Sequence, residues 1–233
     1  MEMQGNPFRN EIEGLIETSD LRGLLQKAGE LHGHWCNYLA YGVMAGYYGI
    51  KEVGVTNTGM EEIIAIVETN NCFSDGVQMI TGCTLGNNSL IYRDWGKISV
   101  TISMRDGQAV RVALDPDFED KRPEVYPDAY ELFDRLVVKR EPSEPEEYSR
   151  MMLLFSEMSV RELSIPFDKM FHITKMTIDV PEYAPIFESK RCSVCGENVM
   201  ETRVIEKEGK YFCIGCSGAE YNMLSGQGIS LER

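Results

Sequence analysis

A chain of 233 residues has room for one substantial domain and a small appendage. With 43% hydrophobic and 26% charged residues, its composition excludes a disordered, collagen-like or low-complexity chain. A formal charge of −14, from 37 acidic against 23 basic side chains, repels phosphates and anionic headgroups and disfavours nucleic acid as a partner.

The first residues, MEMQGNPFRNEIEG, have neither the basic start nor the apolar run of a secretory signal, so a cytoplasmic protein is expected. From Asp20 to Leu31, the residues Leu21, Leu24, Leu25, Ala28 and Leu31 share one helical face, with Asp20 placed as the cap. A break follows at His32-Gly33-His34. A second stripe, Cys36, Leu39, Ala40, Val43, Met44 and Tyr47, predicts a largely interior helix in which Gly42 and Gly46 admit a close neighbour. The uncharged stretch 31–50 has the length of a membrane span, but its histidines, asparagine and glycines suit a buried helix better, and no membrane association is expected.

Residues 62–69, EIIAIVET, predict a buried strand. Asp75 is placed to cap a short helix through Val77, Gln78 and Ile80. Lys97 to Met104 and Ala109 to Leu114 predict two strands joined at Asp106-Gly107. The proline-rich acidic run 140–150 predicts a linker or an exposed helix start, Met151 to Leu163 an amphipathic helix, and Phe171 to Val180 a strand. The predicted fold class is α+β, with helices packed on a mixed sheet. Three segments follow: a core over 1–140, a linker with a peripheral helix and strand over 141–185, and a tail over 186–233 whose cysteines mark it as a zinc ribbon.

Seven cysteines without an export signal point to metal ligation or thiol chemistry rather than disulfides. The pair Cys192-x2-Cys195, followed after seventeen residues by Cys213-x2-Cys216, is the spacing of a closed four-thiolate structural zinc site, with a redox pair or an iron centre as the alternatives. Gly209 lies where the intervening hairpin reverses. A second constellation is formed by His32, His34 and Cys36 at the helix junction, with Cys72 and Cys83 further on. Imidazole and thiolate are the donors that zinc and similar borderline ions prefer, and a site with an open position would support chemistry. The competing reading makes these histidines partners of backbone carbonyls and these cysteines small core residues. Glu68, Asp75 and Asp94 are nearby acids that either position a histidine or take a proton, or else serve as caps, turn residues and surface charges. The catalytic residues are not identified by the sequence.

The strings LHGHWCNYLAYG and AIVETNNCFSDGVQMITGCTLGNNSLIYRDWGK resemble the FmdE family of formylmethanofuran dehydrogenase proteins, and the CSVCGE and YFCIGC tail resembles the zinc ribbon of its longer members. The resemblance implies a helix, strand, helix and three-strand core, a homodimer, and a metal-binding cleft lined by the histidines and cysteines. On this basis the leading ligands are His34, Cys36 and Cys83, with His32 and Cys72 as further candidates for a second zinc or similar ion. Family members are named for a tungsten or molybdenum enzyme, so dehydrogenase subunits are the implied partners. This chain departs from the family pattern at Asn37-Tyr38 and at Asn87-Asn88. Two rival functions remain open: a stand-alone metal-dependent enzyme acting on a small substrate, and a zinc-ribbon adaptor that recognises another protein.

Overall fold

The computed structural model describes residues 6–54 and 59–233, and the chain divides into two compact units, one ending at Pro181 and the other spanning Glu182–Arg233. The first unit begins with α1 (Asn10–Glu17) and α2 (Leu21–His32). Asp20 caps α2 through a 2.9 Å bond from the Gly23 amide, and α2 stops where Gly33 turns left-handed at φ 92°. Next come α3 (Asn37–Val53), β1 (Ile63–Val67) and α4 (Cys72–Thr81). The helix α4 starts earlier than the expected cap at Asp75: Asn71 caps it by accepting from the Phe73 amide at 3.0 Å. Asp75 is thereby released for another partner.

Then follow β2 (Leu90–Tyr92), β3 (Ser99–Met104) and β4 (Gln108–Leu114). The β3–β4 hairpin turns through Arg105, Asp106 and Gly107, with only Gly107 at positive φ (86°). This is a three-residue loop rather than the two-residue turn that Asp-Gly suggests. Short helices α5 (Pro116–Asp120), α6 (Arg122–Val125) and α7 (Pro127–Phe133) lead into one π-helical turn, Asp134–Val138. After them come α8 (Pro145–Glu162) and β5 (Phe171–Thr177).

The five strands form one mixed sheet of order β2-β1-β3-β4-β5, with β1–β2 parallel and the other pairs antiparallel. Ile63, Ala65 and Val67 of β1 join the main core with Leu39, Val43, Phe73 and Val77 from α3 and α4. Of the segment 141–185, residues 141–181 belong to this unit and 182–185 to the second. The helix α8 packs on α3 and α7, and β5 pairs along the whole of β4 as the edge strand. Buried Glu162 at the end of α8 accepts from Arg122 Nη1 at 2.8 Å and from the Tyr41 hydroxyl at 2.6 Å, which ties α8 to α6 and α3.

On the sheet, Glu68 is only 2% exposed and takes two bonds from Arg111, at 2.8 and 2.7 Å. Burial pushes its carboxyl up, but the bonds from Arg111 and Ser99 outweigh that and hold it below the ordinary carboxylate range. A carboxyl lowered on folding contributes stability above its unfolded pKa of about 4.3, and that contribution is lost as pH falls through the folded value. The urea midpoint should therefore decline more steeply with acid in the wild type than in Glu68→Gln. Equal slopes would remove Glu68 from the account.

The second unit is a set of hairpins: β6 (Ser189–Arg191) with β7 (Asn198–Met200), and β8 (Val204–Lys207) with β9 (Lys210–Cys213). A single turn α9 (Ile214–Ser217) and the hairpin of β10 (Tyr221–Ser225) and β11 (Gly228–Glu232) complete it. The β8–β9 reversal uses Glu208 (φ 52°) and Gly209 (φ 71°), as the expected turn at Gly209 requires. Cys192 is the one buried side chain of this unit, so its order has little hydrophobic support.

Candidate metal centre and adjoining cleft

Two groups of side chains in the described residues converge with metal-ligand chemistry. In the second unit, one donor atom from each of Cys192, Cys195, Cys213 and Cys216 lies within 4.8 Å of all the others. The Cys192 sulfur accepts from the Cys213 amide at 3.3 Å, and the Cys213 sulfur accepts from the Cys216 amide at 3.2 Å. Backbone amides, that of Cys213 foremost, pull the Cys192 thiol down to about 6. Four thiolates in knuckle turns, with no fifth donor among them, fit a structural zinc ion.

The other group lies where three helix ends meet. His32 closes α2, His34 lies in the connection after Gly33, Cys36 is the N-cap residue of α3, and Cys72 opens α4. Their donor atoms also all lie within 4.8 Å of one another. This convergence depends on a close α3–α4 contact. A Cβ at Gly42 would stand 2.0 Å from the Phe73 carbonyl oxygen, and one at Gly76 would stand 2.5 Å from the Leu39 oxygen. Glycine at both positions lets the two backbones touch and sets Cys36 beside Cys72.

The electrostatics favour ligation. His32 Nδ1 is 2.7 Å from Asp75 Oδ2, while Asp75 Oδ1 accepts from Gln78 Nε2 at 3.1 Å. With Nδ1 held by a carboxylate, Nε2 presents its lone pair to the cluster. That Nε2 is buried and has no hydrogen-bond partner, a costly arrangement in the absence of an acceptor for the lone pair. A metal ion supplies that acceptor. The His34 ring stands 4.4 Å from that of His32, and burial followed by the neighbouring His32 lowers its pKa. The two thiols share one hydrogen bond. The hydrogen bond from Cys36, aided by His32, pulls Cys72 down to about 6, while that same bond and burial push Cys36 up. The pair thus holds one thiolate readily, and an ion would bring out the second.

The five residues expected in the core site do not all meet. Cys83 is fully buried against the sheet, where its thiol donates to the Ile63 carbonyl at 3.6 Å, and it is not among the four. Asp75 takes the histidine-positioning role that the sequence left open. Glu68 pairs with Arg111, Asp94 accepts from the Tyr92 hydroxyl at 2.5 Å, and His172 lies 3.1 Å from Asp115 on the edge strand.

A cleft of about 500 Å3 opens beside the cluster, with His34, Cys36 and Cys72 in one wall. Tyr38 of α3, Tyr130 and Phe133 of α7, and Met151, Met152 and Phe155 of α8 form the others. Sequence reasoning placed α8 at the periphery and did not find α7, so this wall was missed. The methionines and rings look like ordinary helix packing until the chain folds back. Tyr38 is held by a 2.5 Å bond to Glu119, and burial, then that bond, push its hydroxyl up.

Residues 31–172 match the family described as FmdE, molybdenum formylmethanofuran dehydrogenase operon, over more than half of the chain. The chain belongs to the FmdE family. Residues 185–222 of this FmdE protein also match the prokaryotic dksA/traR C4-type zinc finger, which covers all four ribbon cysteines. A protein of Archaeoglobus fulgidus, described as a probable S-adenosyl-L-methionine-binding protein, is 44% identical over 230 residues. That alignment takes in 97% of the present chain, which spans 60% of the length of the archaeal relative. A solved structure of a tungsten formylmethanofuran dehydrogenase FmdE-like protein from Syntrophus aciditrophicus aligns over 93% of this FmdE chain and 97% of its own, at 21% identity and a TM-score of 0.48. No helix among the described residues is long and apolar enough to cross a membrane.

Proposed function

We propose that this FmdE-family protein carries two metal ions of different purpose: a structural zinc in the ribbon and a zinc or similar transition ion held in the core by His32, His34, Cys36 and Cys72. The observation that carries the core assignment is the buried, unpartnered Nε2 of His32, fixed from behind by Asp75 and aimed into a cluster of soft donors. An ion there would act as a Lewis acid toward a group entering from the cleft. The chain's own residues orient the imidazole, hold the thiolate pair and wall the approach with rings and methionines.

The reading extends to a cytoplasmic accessory protein, acting as a homodimer and associating with dehydrogenase subunits; the operon in the family's description supports that choice of partner. The cleft beside the centre favours a second reading, a stand-alone metal-dependent enzyme acting on a small substrate. S-adenosyl-L-methionine enters only through the archaeal relative's name. No lysine or arginine is among the described residues lining the cleft, so its carboxylate would lack a counter-ion.

Elemental analysis of the purified full chain tests the core assignment. Two zinc-type ions per chain are expected, falling to one in Cys36→Ser. Serine is a favourable N-cap, so α3 should keep its start and the circular dichroism should be unchanged. One ion per chain in the wild type, or an undiminished content in Cys36→Ser, would refute the assignment.

A further inference from the structure

The two histidines of the core cluster are held very differently. The His32 ring is clamped on one side by Asp75, itself bonded to Gln78, and its other nitrogen is buried. The His34 ring makes no hydrogen bond to a described residue; its ring contact is with His32, and it lines the cleft whereas His32 does not. A histidine ligand is ordinarily fixed by a partner on its second nitrogen, and loss of such a partner loosens the ligand. His34 also sits in the connection after the left-handed Gly33, outside both flanking helices, where a small backbone rotation swings it without disturbing α2 or α3.

Resting on the metal reading above, we infer that His34 is the exchangeable ligand of the core centre, and that the cleft seats a small, uncharged thiol with an apolar or aromatic body whose sulfur takes the place of the His34 nitrogen. Exchange breaks the bond to His34, forms a bond to sulfur, and sends the thiol proton to solvent. The chemistry of the wall selects this class. A centre with two cysteine ligands favours a soft donor. Rings of Tyr38, Tyr130, Phe133 and Phe155 with the sulfurs of Met151 and Met152 favour a polarisable body, and a volume of about 500 Å3 suits a small molecule. The absence of lysine and arginine from the described lining disfavours a carboxylate or phosphate, which would shed water without gaining a partner.

Cobalt substitution of the full chain provides the test, because tetrahedral cobalt reports its donors in the visible spectrum. Cys36→Ser, which retains only the ribbon ion, gives the background. The cobalt spectrum before any thiol is added reads the metal assignment by itself; if wild type and Cys36→Ser are identical at that stage, the fault lies with the centre and not with the exchange. Phenylmethanethiol is then titrated, with 3-mercaptopropionate as the charged comparison. The expected result is a saturable rise in sulfur-to-cobalt charge transfer in the wild type and none in Cys36→Ser. Phenylmethanethiol should bind at least about tenfold tighter than 3-mercaptopropionate. Val137 of the π-helical turn also lines the cleft, and Val137→Trp, which would fill it, should weaken phenylmethanethiol binding by a similar factor. His34→Ala should keep its core cobalt and still take the thiol, whereas His32→Ala should lose the ion. No spectral change, equal affinity for the two thiols, or loss of cobalt from His34→Ala as complete as from His32→Ala would each overturn the inference.

Discussion

Cys213→Ser is expected to unfold residues 182–233 while leaving the melting temperature of the first unit unchanged. The unit has one buried side chain, and that side chain is itself a proposed zinc ligand, Cys192. Leu224, Ile229 and Leu231 of its last hairpin are 46%, 48% and 64% exposed, so hydrophobic burial cannot hold the strands in register. Structural zinc sites in small modules are worth roughly 10 kcal/mol or more, which exceeds what a unit of this size gains from its own core. Peptide-resolved amide exchange reads the outcome directly. Protection should disappear across β6 to β11 and persist in β1, β3 and β4. Protection retained in the ribbon of the zinc-stripped variant would show that the hairpins stand without the ion.

Gly42→Ala should have the next largest effect, a loss of about 3 kcal/mol or more from the first unit together with its core ion. The added methyl would meet the Phe73 carbonyl oxygen at 2.0 Å, and since that atom is backbone no rotamer change relieves the clash. The helices α3 and α4 would have to separate, drawing Cys36 away from Cys72. Gly14→Ala is the matched control, because nothing lies within 4 Å of its added Cβ and helix propensity alone predicts a gain of about 1 kcal/mol. The comparison is made by urea unfolding with metal content measured on the same samples. A stable, fully metallated Gly42→Ala would mean that the interhelix contact does not set the site.

The parts of this architecture that depend on local pattern were legible in the sequence. The stripes of α2 and α3, the β-branched run of β1 and the paired cysteines of the ribbon each announce themselves within a few residues, because amphipathic period and ligand spacing are local properties. The fold class and the family resemblance followed from them. What escaped depends on pairing between distant segments. Strand β5 looked peripheral because only its register against β4, some sixty residues earlier, shows it to be the sheet edge. The cap of α4 was misplaced because Asn71 and Asp75 are both good caps; Asn71 accepts from the Phe73 amide, and Asp75, one turn into the helix, faces His32. Cys83 carried the same residue-type signal as Cys72. The difference is that Cys72 opens a helix pressed against α3, while Cys83 follows the end of that helix and turns into the sheet.

The claim that two distinct metal centres share this chain is tested most directly by X-ray absorption at the zinc edge on the zinc-loaded 233-residue chain. One site of four thiolates and one of two thiolates and two imidazoles predict an average zinc environment of three sulfurs and one nitrogen, with the multiple-scattering signature of imidazole. An environment of four sulfurs with no imidazole scattering would place all the zinc in the ribbon and contradict the core centre.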